Sequence, residues 1–350
     1  MIFEIKSAIL SDSVADFFVR KDLICYDSLA NIIMVYILRV RMCTPFTGGI
    51  MDFNLFTANI LEKIKEVLPE CDAKLRQVVK ANDIICTGIL LFEKEKEEEK
   101  DADKMIGITI YLEEYFDKFK NGKMSLEEAA ESVARLYKSH LKDKATFNLD
   151  LSFESVKDRI IFSLLNKEKN EGYLKDALRE DYLDLTLCYR VLAREERKND
   201  ITSFLLPLAA FNSWGVELSK IREVAIENMK RLFPAELKKL KDVIRIPKEA
   251  LDSGVFTHFY VLTNRLANLG ASALLYEGEL GGIAAITGCN LYLIPSSVHE
   301  ILIVPENCNV LPCTVRDMIK EVNENCVDPE DFLSDTLYMY EKESGNIKIV

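Results

Sequence analysis

Residues 258–306 read HFYVLTNRLANLGASALLYEGELGGIAAITGCNLYLIPSSVHEILIVPE, and they hold the densest apolar runs of the chain beside its one close grouping of Ser, His and Glu. Phe259, Tyr260, Val261 and Leu262 are aromatic, β-branched or aliphatic without a break and stop at Thr263-Asn264, which predicts a short buried strand. Residues 291–294 and 301–304 repeat the pattern. Between them Pro295 biases Ile294 towards an extended backbone, and 295–300 has the length of a connection between two antiparallel strands. Upstream, Gly278, Gly281 and Gly282 surround Leu280, Ile283 and Ile286. That spacing predicts a short helix over the sheet, although each interior glycine costs about 1 kcal/mol of helix propensity.

Working back to the start, residues 1–50 behave unlike the rest. The apolar run at 29–38 follows Asp22 and Asp27, is broken by Asn31 and closes on Arg39 and Arg41. It is shorter than the roughly 20 apolar residues a membrane span needs, and it lacks the basic start and small-residue cleavage site of a secretory signal. Gly48-Gly49-Ile50 just before Met51 could encode a ribosome-binding site, so residues 1–50 are expected to be an N-terminal extension from a start set too early. Residues 51–350 are expected to form a single α+β domain, an antiparallel or mixed sheet with helices packed against it. The charged stretch at 235–250 is the place where two subdomains would meet.

Within that domain Phe56, Ile60, Ile64 and Leu68 recur every four residues and predict a helix ended by Pro69. Residues 75–79 and 84–92 predict a hairpin turning at Ala81-Asn82-Asp83. The acidic run at 93–104 predicts a solvated loop, and residues 105–112 a further strand leading into a helical turn stopped at Asn121-Gly122. Ser125-Leu-Glu-Glu128 is a capping box for a helix that turns Leu126, Ala130, Val133 and Tyr137 inward and ends near a surface His140. A second helix is expected from Phe153, with Val156, Ile160 and Leu164 on its inner face. Residues 183–192 read as a strand, and Trp214 precedes a periodic helix that Pro234 stops. The basic segment from Lys230 to Arg245, interleaved with leucines, reads as a solvated helix. Residues 314–322 predict a helix, Asp328-Pro329-Glu330-Asp331 a helix start, and 336–350 a closing hairpin.

Composition narrows the function. A net charge of −12 works against a nucleic-acid partner, because such binders present a basic face that releases counterions. The nine cysteines are scattered without a Cys-x-x-Cys pair, which fits neither a zinc ribbon nor a disulfide framework and points to a reducing, cytoplasmic setting. Cys86, Cys188 and Cys289 read as small buried hydrophobes, and Cys308 with Cys313 lacks the companions of a metal site. No metal, no cofactor and no membrane partner is expected. Ser296, Ser297, His299 and Glu300 are the catalytic candidates, since a serine nucleophile needs an imidazole base and an orienting acid. Spacing weighs against them. In an extended strand Ser297 and His299 share a face while Glu300 points away, and in a helical loop Ser297-x-x-Glu300 is a capping box that occupies the hydroxyl. Asn264, Ser297 and His299 are therefore expected to serve a ligand or partner loop. The chain reads as a binding or accessory module for an unidentified protein or small molecule, with a hydrolase using Ser296 or Ser297 and His299 as the alternative.

Several motifs carry a resemblance over residues 51–350: Ile108-Thr-Ile-Tyr-Leu112 with Tyr115, Trp214 before the helix holding Glu223 to Asn228, Val261-Leu-Thr-Asn264 with Gly270-Ala271, and Ile294-Pro-Ser-Ser-Val-His-Glu300. Together they resemble an uncharacterised family of gut-dwelling Gram-positive bacteria known only as a domain of unknown function. The resemblance implies no activity, cofactor or catalytic residue, and residues 1–50 fall outside it.

Overall fold

The computed structural model describes residues 51–94, 108–142, 150–192, 203–243, 258–308 and 311–350. The expectations for residues 1–50 and for most of the acidic run at 93–104 lie outside that set, as does the side chain of His140. The protein is α+β, and its chain divides into two compact units, one ending at Asp150 and the other running on from Leu151.

The N-terminal unit begins with α1 (Phe53–Val67), whose four-residue period puts Phe56, Ile60 and Ile64 in the core with no exposure. A three-stranded antiparallel sheet follows in the order β1 (Cys71–Val79), β2 (Ile85–Glu93) and β3 (Ile108–Tyr111). The turn between β1 and β2 uses Asn82 and Asp83 at φ 58° and 51°, a left-handed conformation that short polar side chains tolerate. Helix α2 (Glu113–Lys120) leads to α3 (Leu126–Lys142). The capping box closes reciprocally: Glu128 N–H donates to Ser125 Oγ at 3.1 Å and Ser125 N–H to Glu128 Oε2 at 2.7 Å. Ile89, Leu91, Ile110, Val133 and Tyr137 close the core between sheet and helices.

In the C-terminal unit the helix expected from Phe153 is limited to the single turn Phe153–Val156, and the chain then enters β4 (Ile160–Asn166). The four-residue coincidence of Val156, Ile160 and Leu164 mimics a helix. The deciding feature is the unbroken buried run from Ile160 to Leu165, the mark of a strand covered on both faces. β4 pairs with β6 (Leu185–Leu192), and β6 pairs in turn with β5 (Arg179–Tyr182) and β7 (Ser203–Leu205). Trp214 ends α4 (Leu208–Trp214), donates its indole N–H to Leu151 O at 2.7 Å, and is followed by α5 (Leu218–Leu232). Asn228 of α5 donates its amide to Lys157 O and Ile160 O at 2.7 and 2.8 Å, fastening the helix to the entrance of β4.

The six-stranded antiparallel sheet runs β13 (Ile347–Ile349), β12 (Tyr338–Tyr340), β10 (Leu291–Ser297), β11 (Glu300–Pro305), β9 (Tyr260–Asn264) and β8 (Ala235–Lys239). β8 occupies the middle of the segment expected to be a solvated helix, which is helical at 230–232, the end of α5, and again at Leu240–Val243. It lies at the sheet edge, where lysines are favoured because they discourage strand addition, and it pairs with β9 (Tyr260–Asn264). Stretch 235–250 therefore begins inside a sheet, while the division of the chain falls at Asp150. α6 (Glu279–Thr287) forms where the glycines predicted it, burying Leu280 and Ile283 but leaving Ile286 79% exposed. β10 (Leu291–Ser297) and β11 (Glu300–Pro305) are antiparallel, with the register shifting between Ile294 and Ser297. Both strands reach further than their apolar runs, so the connection is Val298-His299 alone. Helix α7 (Pro312–Cys326) and the closing hairpin of β12 (Tyr338–Tyr340) and β13 (Ile347–Ile349) complete the unit. Phe259, Val261, Ile294, Val304 and Ile319 pack in one core cluster. The expected helix at Asp328 is a turn, with Asp331 N–H on Asp328 O at 2.8 Å, because the next residues are drawn onto the end of β10. Among the described residues no helix is long and apolar enough to cross a membrane.

Candidate functional site

The turn of the β10–β11 hairpin is held from two sides. On one side Val298 N–H donates to Asp331 O at 2.9 Å, Leu333 N–H to Ser296 O at 3.1 Å, and Ser334 N–H to Pro295 O at 2.9 Å. On the other, Thr263 Oγ1 donates to His299 O at 2.8 Å and Ala271 N–H to Val298 O at 3.2 Å. Gly270 lies in the crevice between them. A Cβ at this position would stand 2.2 Å from Thr263 Oγ1 and 2.3 Å from His299 O, so only glycine fits.

His299 sits half-buried at the centre. Its Nδ1 accepts the Leu269 N–H at 3.3 Å, which leaves the proton on Nε2, and Nε2 lies 3.1 Å from Asp331 Oδ1. Ser297 Oγ accepts the N–H of His299 itself at 3.1 Å, a local turn cap of the kind serine makes two residues ahead. Ser296 contributes its carbonyl, and Glu300 faces Ser297 across the strand pair. Asp331 is thus the acid beside the imidazole, and nothing local in the sequence foretold it, since it comes from the turn before the closing hairpin.

The loop at 264–269 packs against this turn. Asn264 is 1% exposed, and its Oδ1 accepts the N–H groups of Leu266 and Asn268 at 3.0 and 3.4 Å while its Nδ2 donates to Asn268 O at 2.7 Å. These bonds hold Ala267 and Leu269 at φ 49° and 55°, a region that costs non-glycine residues about 1–3 kcal/mol. Arg265 and Leu266 stand exposed at the tip. Of the five sequence candidates, then, Asn264, Ser297 and His299 meet in one constellation through Leu269 and Thr263.

A second polar cluster, unmarked in the sequence, joins the two sheets of this unit. Asp184, in the turn between β5 and β6, accepts from Ser334 Oγ at 2.6 Å and from the Tyr338 hydroxyl. Burial pushes the Tyr338 phenol up, and the hydrogen bond to Asp184 adds to the shift. Among the described residues no group of three or more His, Cys, Asp or Glu side chains is placed to hold a metal ion.

An α+β architecture with an imidazole, an acid and a strained loop locked at a hairpin turn defines a class of domain without defining a reaction. The chain belongs to DUF5688, a family of unknown function whose model matches residues 53–342. No curated protein and no solved structure matches it.

Proposed function

We propose that this chain is a cytosolic bacterial binding or accessory module that recognises a protein partner through the 264–269 loop. The observation that carries the reading is the strain: Ala267 and Leu269 are held left-handed by a buried asparagine and by His299, while Leu266 stays 40% exposed beside an exposed Arg265. A fixed apolar side chain next to a guanidinium suits a protein surface offering an apolar contact and a carboxylate. The overall charge of −12 favours such a partner over a nucleic acid or an anionic membrane. The unpaired spacing of the cysteines supports the cytosolic placement, and the motif resemblance supports an origin in gut Gram-positive bacteria.

The hydrolase alternative draws on the His299–Asp331 pair, which is two members of a triad. To serve as base, Nδ1 would have to release the Leu269 N–H, and the Ser297 oxygen is engaged with the His299 amide, so this reading ranks second. Affinity purification of the full chain from its own cells tests the first. Partners retained by the native chain should fall about tenfold, equivalent to ~1.4 kcal/mol, with Arg265→Ala and Leu266→Ala combined. Undiminished retention by a folded double variant overturns it, and ester hydrolysis abolished by His299→Ala with the fold intact would favour the hydrolase.

A further inference from the structure

β1 is an edge strand, and among the described residues nothing pairs with its far side. Lys80 N–H donates to Ile84 O and Lys94 N–H to Glu70 O, so the even-numbered residues of this strand address β2. Odd-numbered Ala73, Leu75 and Gln77 therefore turn their N–H and C=O groups to the open edge. The side chains of Asp72, Lys74 and Arg76 are exposed on one face of the sheet, as is Glu70 just before the strand. On the opposite face Leu75 is 40% exposed and Val79 45%.

Such an edge accepts a strand, and its charge order selects which one. Antiparallel pairing of β1 with a second copy about a two-fold axis sets odd residues against odd, because only they offer free backbone groups, and the axis falls on an odd hydrogen-bonded pair or an even non-hydrogen-bonded one; on Asp72, Lys74 or Arg76 it sets that charge against its own copy. Centred on Leu75, the register sets Lys74 against Arg76 of the other copy; centred on Gln77 it sets Lys74 against Lys80, and centred on Cys71 it sets Asp72 against Glu70. Each of these opposes like charges. Centred on Ala73, it sets Asp72 against Lys74 and Glu70 against Arg76, each pair twice by symmetry. These are the non-hydrogen-bonded positions, where Cα atoms approach to about 4.5 Å and side chains lie closest. In the same register Leu75 packs on Cys71 of the other copy, and Glu70, 3.8 Å from Lys138 of its own chain, gains a second cation.

We infer that the protein forms a two-fold dimer by antiparallel pairing of β1 with β1 of a second copy, in register about Ala73. Sedimentation of the full chain over a concentration series is the test, with circular dichroism to confirm that each variant is folded. The native chain should dimerise, and Lys74→Glu or Asp72→Lys should each raise the dissociation constant at least about tenfold by opposing like charges. The double variant Asp72→Lys with Lys74→Asp restores opposite pairs and should recover the dimer. Amide hydrogen exchange gives an independent readout: Ala73 and Leu75 should become protected as concentration rises. A chain that stays monomeric throughout, a dimer indifferent to these charges, or a double variant no better than the singles would overturn the proposal.

Discussion

Gly270 shows how little slack the hairpin turn has. A methyl group there would overlap both the Thr263 hydroxyl and the His299 carbonyl, which are themselves hydrogen-bonded to each other. Gly270→Ala is accordingly expected to destabilise the chain by about 3 kcal/mol, read as a lower urea midpoint at unchanged slope. Asn264→Ala should cost about 2–3 kcal/mol, since it strips the amides of Leu266 and Asn268 of their acceptor while leaving the backbone strain in place. Asn264→Asp keeps the acceptor but sets a buried carboxylate oxygen against Asn268 O in place of the amide donor, so it should cost at least as much as the alanine. At this scale the sequence was half legible. His299, Ser297 and Asn264 stand out by type and position, but their roles are set by Leu269, Asp331 and Thr263, which arrive from other elements. A left-handed leucine carries no signal in its own identity, whereas the Asn82-Asp83 turn announces itself.

Among elements, legibility followed exposure. α1 and α3 were readable because each has one buried face, so that apolar residues recur with the helical period, and the β10–β11 hairpin was readable from two unbroken apolar runs punctuated by Pro295. β4 is buried on both faces and β8 is an edge strand armed with lysines; neither alternates, and both look like helix when taken alone. What fixes β4 is the docking of α5, and Asn228 is the fastening. Asn228→Ala removes a buried donor from the carbonyls of Lys157 and Ile160, and an expected loss of about 2–3 kcal/mol follows if those carbonyls stay dry. Ser125→Ala, by contrast, removes only an exposed cap from α3 and should cost about 1 kcal/mol. Thermal melting of the two variants side by side would separate the fastening from the cap, and equal shifts would count against the docking argument.

Across the whole molecule the buried phenols couple the fold to pH. Tyr189, Tyr276 and Tyr338 are almost fully buried, and burial is the main cause that raises each phenol well above its ordinary value; the carboxylates of Glu180, Glu279 and Asp184 respectively add to it. Tyr137, in the N-terminal unit, is raised chiefly by burial as well, with Cys71 adding to it. A raised phenol is neutral in the folded chain while the unfolded chain ionises near pH 10, so the stabilisation is complete below about pH 10 and is lost as pH climbs above it. Each such group steepens the loss by about 1.4 kcal/mol per pH unit, so the three in the C-terminal unit together contribute about 4 kcal/mol per unit. Tyr338→Phe should lower the starting stability, since Asp184 loses a donor, yet flatten the alkaline slope by about one proton. Urea unfolding at stepped pH, followed by tyrosinate absorbance and far-ultraviolet circular dichroism together, checks both effects. Tyrosinate from these residues should appear only as the fold is lost, and an absorbance rise well ahead of the loss of structure would show that the phenols ionise in place.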